Sequence, residues 1–146
     1  MRKLLLPLAL LMLVAAPAWA EHPAECRVAE NLTEPNFRLP HVTRAVGAKH
    51  LNILVVGAGS SQLPGTSGTG NAYPARLQQA LASRLPGVDV KVTTDVKSGR
   101  TAAEMVKALP GALAAAKPVL LVWQTGTVDA MLGVDPDLFS QSLDKG

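Results

Sequence analysis

Two adjacent serines follow an apolar run in a glycine-rich loop, which is a position where a serine can act as a nucleophile. The run Ile53 to Val56 ends at Gly57, and Ser60 and Ser61 follow it. A serine hydroxyl attacks a carbonyl when a neighbouring base takes its proton, so this loop could perform acyl-transfer chemistry. The structural alternative is that both serines only fill a tight turn.

The glycines of the same loop also permit dinucleotide binding. Gly57 and Gly59 match the first two glycines of the Rossmann fingerprint, but Gln62 stands at the third position. The next helical pattern begins only at Tyr73, which is too late for a helix that would bind a pyrophosphate. We therefore expect no nucleotide cofactor. A nucleotide-binding domain of flavodoxin-like fold is kept as one alternative function, which would require the loop from Gly57 to Ser61 to bind phosphate or flavin.

Composition excludes two further classes of site. The single cysteine and the three scattered histidines offer no zinc spacing, so we expect no metal. The chain has 14 basic and 11 acidic residues. Without Arg2 and Lys3, which lie in an amino-terminal targeting segment, 12 basic residues face 11 acidic ones and the net charge is +1. Such a balance does not favour nucleic-acid binding.

Residues 1–20 have the three parts of a secretory signal peptide. Two basic residues precede an apolar run from Leu4 to Ala16, and small residues lead to a cleavage position after Ala20. The run is shorter than the ~20 residues of a membrane-spanning helix, and Pro17 ends it. We expect cleavage, no membrane anchor afterwards, and a periplasmic or secreted protein.

Three strand patterns could position the serine loop. Asn52 to Val56 and Val119 to Trp123 are continuous apolar runs, whereas Val88 to Thr93 alternates apolar and polar residues. Two helical patterns separate them, so right-handed crossovers and a mostly parallel sheet are expected. The continuous runs predict central strands buried on both faces and the alternating run predicts an edge, with the first strand beside the third. Ligands bind such sheets beyond the carboxyl ends of the strands, here after Val56 and Gln124.

The two helices have recognisable ends. The first begins near Tyr73, admits Pro74 in its first turn and ends at Pro86-Gly87. The second begins at the capping box formed by Thr101 and Glu104, and Pro110-Gly111 predicts a break before a further short turn.

Residues 51–143 resemble the SGNH/GDSL hydrolase family. The resemblance rests on three blocks: the serine loop, Ser98-Gly99-Arg100-Thr101 before the second helix, and Gly126-Thr127-Val128-Asp129 after the third strand. It implies an α/β fold, namely a flavodoxin-like α/β/α sandwich with a mostly parallel sheet. It also implies ester hydrolysis, often on lipids or acetylated sugars.

The resemblance assigns roles to individual residues. The nucleophile is Ser60, with Ser61 as the alternative. An alignment that keeps Gly57 as the first residue of the block would instead put Gly59 at the position of the family's nucleophilic serine. The oxyanion hole consists of backbone N–H groups of Ser60 and Gly99. The family's third donor, an asparagine side chain, is replaced by Val128. The residues expected to support the site are Gln124, Thr125, Gly126, Thr127 and Asp129. The Gln124 amide and the hydroxyls of Thr125 and Thr127 are the candidate substitute donors. For Asp129 we expect hydrogen bonds from backbone N–H groups at the start of the helix that follows it.

The family's general base lies in an Asp-x-x-His block, and no aspartate of this sequence has a histidine three residues later. His50 precedes the first strand, and His22 and His41 belong to a proline-containing arm. We therefore expect a truncated domain: a signal peptide at 1–20, an arm at 21–50 and the amino-terminal part of an SGNH hydrolase-like domain at 51–146. The expected function is an exported serine esterase acting on a small-molecule, carbohydrate or lipid ester; the alternative is a non-catalytic binding protein of the same fold.

Overall fold

A computed structural model describes residues 37–62 and 68–146 of the chain. The expected signal peptide and most of the expected arm lie outside the described residues. Three strands run through the described part: β1 (His50–Gly57), β2 (Asp89–Val96) and β3 (Leu120–Trp123). Their order in the sheet is β2-β1-β3, and both pairings are parallel. The predicted parallel sheet, with the first strand beside the third, is confirmed.

Helices connect and flank the strands. In chain order they are α1 (Pro40–Gly47), α2 (Gly68–Asn71), α3 (Tyr73–Arg84), α4 (Ala102–Ala116), α5 (Thr127–Met131) and α6 (Pro136–Lys145), with a 3₁₀ turn at Gly59–Ser61. Within the described ranges, no helix has the length and apolar composition needed to cross a membrane.

β1 is buried on both faces, which explains its continuous apolar sequence. Successive side chains of a strand point to opposite faces, and the core accordingly forms two clusters. Leu51 and Ile53 pack with Val90 on one face. Leu54 and Val56 pack on the other face with two residues of α4, Met105 and Leu109.

β3 differs from its predicted central position. All four of its residues are half-buried, because β1 is its only partner strand among the residues described. β2 is the other edge of the described sheet, as its alternating sequence predicted.

The predicted break at Pro110-Gly111 is wrong, since α4 continues through both residues to Ala116. The buried face of the helix extends past the proline: Leu109 precedes it, and Ala112 and Ala116 pack against the same cluster. Pro110 itself lies on the exposed side of the helix. Continuous burial of one face therefore outweighs the lost backbone hydrogen bond.

α1 was not expected in the arm at 21–50. Its residues Val42, Ala45 and Val46 share one helical face and pack against the cluster formed by Leu51 and Ile53. Pro40 occupies the first position of α1, where proline is tolerated.

Candidate active site

A cavity of about 340 Å³ opens beyond the carboxyl ends of β1 and β3. The loops after all three strands contribute to its wall, so the three sequence blocks lie together. The residues of the wall that bear on chemistry are Gly59, Ser60, Ser98, Gly99, Thr127 and Val128. The cavity therefore joins Ser60, Gly99 and Thr127 in one place.

The turn after β1 separates the two serines. A Cβ at Gly57 would collide with the side chain of Ser61, so only glycine lets the chain fold back at this point. The Ser61 N–H donates to the Ala58 carbonyl at 2.9 Å and closes the 3₁₀ turn. As a result Ser61 is only 2% exposed, whereas Ser60 is exposed and lines the cavity.

Gln124 connects both serines from the end of β3. Its backbone N–H donates to the Val56 carbonyl at 2.9 Å, which places its side chain over the turn. The Ser61 hydroxyl donates to Oε1 of Gln124. Nε2 of Gln124 donates to the Ser60 hydroxyl oxygen at 3.1 Å. The amide is thus engaged with the serines, and it does not line the cavity as a substitute oxyanion donor would.

A side chain at Gly59 would fit only tightly. A Cβ at this position would lie 3.0 Å from the Ser98 hydroxyl oxygen, closer than such contacts normally are. In the alignment that puts Gly59 at the family's serine position, a serine would therefore require Ser98 to move.

The lining of the cavity is mostly apolar. Val128 lines the cavity with methyl groups where the family's asparagine would present an amide. The Thr127 side chain is exposed on the same wall. The Thr125 hydroxyl, in contrast, is buried, has no hydrogen-bond partner among the described residues and does not line the cavity. Of the expected substitute donors, only Thr127 reaches the cavity.

An ion pair fixes the loop that carries Gly99. Arg100 donates two hydrogen bonds to the Asp95 carboxylate, from Nη1 at 2.9 Å and from Nη2 at 2.8 Å. This hydrogen bonding lowers the pKa of Asp95 and raises the pKa of Arg100. Gly99 adopts a left-handed conformation with φ +72°, which suits glycine. The ion pair ties this turn to the end of β2.

Asp129 supports a different helix from the expected one. It is 4% exposed, and both of its carboxylate oxygens accept from the backbone N–H of Ala102, at 3.1 and 3.0 Å. Ala102 begins α4, which precedes Asp129 in the chain, so the expectation that Asp129 would serve the following helix is wrong. The capping box of Thr101 and Glu104 is confirmed at the same helix end. The Thr101 backbone N–H and hydroxyl donate to the Glu104 carboxylate, and these hydrogen bonds lower the pKa of Glu104.

Gly126 lets the chain turn from β3 into α5. Its φ is +98°, and a Cβ there would lie 3.3 Å from the Phe139 ring. It therefore supports the wall that Thr127 and Val128 form.

The described histidines lie away from this cavity. Nδ1 of His41 is 3.0 Å from Nη2 of Arg44, and Nδ1 of His50 is 3.0 Å from Oδ2 of Asp89. His50 begins β1, and seven residues at ~3.3 Å each separate it from Gly57 by roughly 23 Å. His22 lies outside the described residues. The part of the chain that the structure describes has no group of three potential metal ligands.

Sequence reasoning missed the apolar rim of the cavity. Met131 and Leu132 line it although they are 81% and 67% exposed. Together with Val128 they follow the i, i+3, i+4 spacing of one helical face, which was the available signal. Sequence reasoning also missed the bridge through Gln124, because no local pattern relates residues so far apart in the chain.

The profile of the Non-GDSL lipase-like family matches residues 25–146. No curated protein is significantly similar to the chain.

Among solved structures, TesA shares 33% identity at a TM-score of 0.56, over 64% of this chain and 50% of TesA. AlinE4, an SGNH-hydrolase family esterase, shares 24% identity at a TM-score of 0.55, over 65% of this chain and 50% of that one. A Clostridium thermocellum family 3 carbohydrate esterase shares 17% identity at a TM-score of 0.56, over 66% of this chain and 54% of that one.

These likenesses establish the SGNH hydrolase α/β/α fold that the three sequence blocks predicted. The chain spans about half the length of the solved structures that it matches.

Proposed function

Because this chain belongs to the Non-GDSL lipase-like family, we propose that it acts as an exported serine esterase of SGNH type. The substrate is an acyl or acetyl ester, and carbohydrate and lipid esters are the candidate classes. The observation that carries the proposal is the position of Ser60. Ser60 is exposed and lines a cavity that Gly99 also lines, and in this proposal the Ser60 hydroxyl and the Gly99 N–H act on a substrate bound there.

Ser60 attacks the acyl carbonyl and forms a tetrahedral intermediate. The backbone N–H groups of Ser60 and Gly99 stabilise its oxyanion, as in other serine hydrolases. Val128 offers no third donor, and the Thr127 hydroxyl is the candidate replacement because Thr127 lines the same cavity. Ser61 is a poorer nucleophile candidate, since it is buried and its hydroxyl is committed to Gln124.

The apolar rim suits the acyl part of an ester. Val128, Met131 and Leu132 form one side of the cavity, and its volume of about 340 Å³ accommodates a small substrate. Burial of apolar substrate atoms against this rim contributes about 25 cal/mol per Å².

The general base comes from polypeptide outside residues 1–146 in this proposal. No Asp-x-x-His block occurs in the sequence, and neither His41 nor His50 lines the cavity that holds Ser60. The relatives of known structure are about twice as long as the matched region, which leaves room for such a block. Reading the coding sequence beyond Gly146 tests this part directly.

Export is a further part of the proposal. It rests on the signal-like sequence of residues 1–20, with a periplasmic or secreted location after cleavage at Ala20. Amino-terminal sequencing of the protein from an osmotic-shock fraction and from the culture medium should begin at Glu21. A cytoplasmic protein that starts at Met1 would contradict export.

The catalytic proposal is tested with p-nitrophenyl acetate and butyrate on the complete translation product. We expect turnover by wild type and slower turnover by Ser61→Ala. Ser60→Ala should show no turnover above background. Equal turnover by wild type and Ser60→Ala would refute a catalytic role for Ser60.

A non-catalytic binding protein is the second candidate, and Val128 favours it. A cavity with methyl groups where an oxyanion donor is needed suits an apolar ligand better than a transition state. This candidate predicts no Asp-x-x-His block in the complete coding sequence. It also predicts that Ser60→Ala leaves ligand affinity unchanged.

A further inference from the structure

The structure contains a continuous hydrogen-bonded chain from a buried serine to the proposed nucleophile. It runs from the Ser61 hydroxyl to Oε1 of Gln124, and from Nε2 of Gln124 to the Ser60 hydroxyl oxygen. We propose that Gln124 positions Ser60 for attack and that Ser61 fixes the orientation of the Gln124 amide. This inference rests on the proposed role of Ser60 as nucleophile.

The backbone leaves this side chain little freedom. Gln124 directly follows β3, and its N–H donates to the carbonyl of Val56 at the end of β1. A Cβ at Gly57 would lie 3.8 Å from Cβ of Gln124 and would overlap Ser61. Gly57 thus provides the space in which Ser61 and Gln124 meet.

Ser61 determines which end of the amide faces Ser60. The Gln124 side chain has one acceptor oxygen and one NH₂ donor group. Ser61 is 2% exposed, and its hydroxyl donates to Oε1. Nε2 is consequently turned towards Ser60, to which it donates at 3.1 Å.

This orientation matters for the chemistry of Ser60. A serine hydroxyl has one proton to donate and two lone pairs that accept. With Nε2–H on one lone pair, the Ser60 proton stays available for a general base. The reversed amide would instead take that proton on Oε1. A donor aimed at Oγ also stabilises negative charge as the proton leaves.

Kinetics of a double-mutant cycle test the proposal on the complete translation product. Gln124→Met removes both hydrogen bonds at similar volume and should lower kcat about tenfold, while KM changes less than about twofold. Ser61→Ala should lower kcat about threefold, because the side-chain amide of Gln124 can then flip its oxygen and nitrogen. The double variant should be no slower than Gln124→Met alone, since Ser61 acts only through Gln124. Gln141→Met, the same change at an exposed position of α6, is the matched control and should behave as wild type.

An NMR readout makes the test independent of turnover. The side-chain NH₂ signal of Gln124 should shift in Ser60→Ala and in Ser61→Ala, while that of Gln141 stays in place. An NH₂ signal of Gln124 that neither variant moves would overturn the bridge.

The kinetic outcomes separate this inference from the proposed function. If Ser60→Ala abolishes turnover and Gln124→Met does not change kcat, the positioning role fails and the esterase proposal stands. Additive losses in the double variant would overturn the role of Ser61. Absence of turnover in wild type would refute both proposals. If the Gln124 NH₂ signal nevertheless shifts in both serine variants, the hydrogen-bonded bridge exists and Gln124 is a structural residue only.

Discussion

Asp129 and Ala102 join two of the three loops around the cavity, because both carboxylate oxygens of Asp129 accept from the Ala102 N–H at 3.1 and 3.0 Å. Asp129 lies in α5, which carries the wall residues Thr127 and Val128. Ala102 begins α4 directly after the loop that contains Gly99. The position of the proposed oxyanion donor therefore depends on a buried carboxylate in α5.

Asp129→Ala should destabilise the protein by about 2 kcal/mol. The substitution removes a charged acceptor and leaves the buried N–H of Ala102 unsatisfied. Urea denaturation at pH 7 measures the effect. Asp144→Ala, which removes an exposed carboxylate in α6, is the control and should change stability by less than about 0.5 kcal/mol. Equal stabilities of the two variants would contradict the role given to Asp129.

The ion pair of Asp95 and Arg100 should make stability depend on pH below neutrality. Hydrogen bonding by Arg100 lowers the pKa of Asp95 in the folded protein, while the unfolded value is about 3.9. Its contribution is therefore complete above about pH 5 and is lost as the pH falls through the lowered folded pKa. Asp95→Asn should cost about 1 kcal/mol at pH 7, and the difference from wild type should shrink towards pH 3. Urea unfolding at pH 7, 5, 4 and 3 measures this, and a difference that grows on acidification would be inconsistent with the ion pair.

Much of the fold could be predicted because its signals are local. The apolar run of β1, the alternation of β2 and the capping box of α4 each arise from neighbouring residues. Pro110 misled the prediction because burial of a helical face, which depends on partners elsewhere, outweighed a local signal. The half-buried state of β3 likewise depends on which strands pair with it.

The candidate site was predictable only as a set of loops. The sequence blocks proposed Ser60 and Gly99 as site residues, and the structure places both on one cavity. They could not show that a tight turn buries Ser61 and exposes Ser60, since that difference depends on the turn geometry after Gly57. The partner of Asp129 was missed for a similar reason: the bond crosses 27 residues.

Val128→Asn should raise kcat for a small acetyl ester in the complete translation product. Asparagine would offer the amide donor that the family places here, which is worth up to ~3 kcal/mol of transition-state stabilisation. The gain should appear in kcat more than in KM, because the oxyanion exists only in the transition state. Val128 also packs against the core beside α4, so thermal unfolding must be measured alongside.

Thr127→Val is the companion variant to Val128→Asn. If the Thr127 hydroxyl already serves as third donor, Thr127→Val should lower kcat and Val128→Asn should add little. An inactive wild type that neither substitution affects would favour the binding-protein alternative.

Met131→Ala should change the preference for acyl chain length. Met131 is 81% exposed at the rim of the cavity, so its truncation should leave stability within about 0.5 kcal/mol of wild type. We expect KM to rise about threefold to tenfold for butyrate and longer esters and to stay unchanged for acetate, because only longer chains reach the rim. Leu138→Ala, an exposed apolar residue of α6, provides the control. Parallel changes for acetate and butyrate would argue against an acyl-binding rim.

Covalent labelling tests whether Ser60 is the nucleophile. The complete translation product is treated with a fluorophosphonate, digested and examined by mass spectrometry, with Ser60→Ala and Ser61→Ala in parallel. We predict a single adduct on Ser60 in wild type and in Ser61→Ala, and no adduct in Ser60→Ala. An adduct on Ser61, or labelling that persists in Ser60→Ala, would contradict the claim.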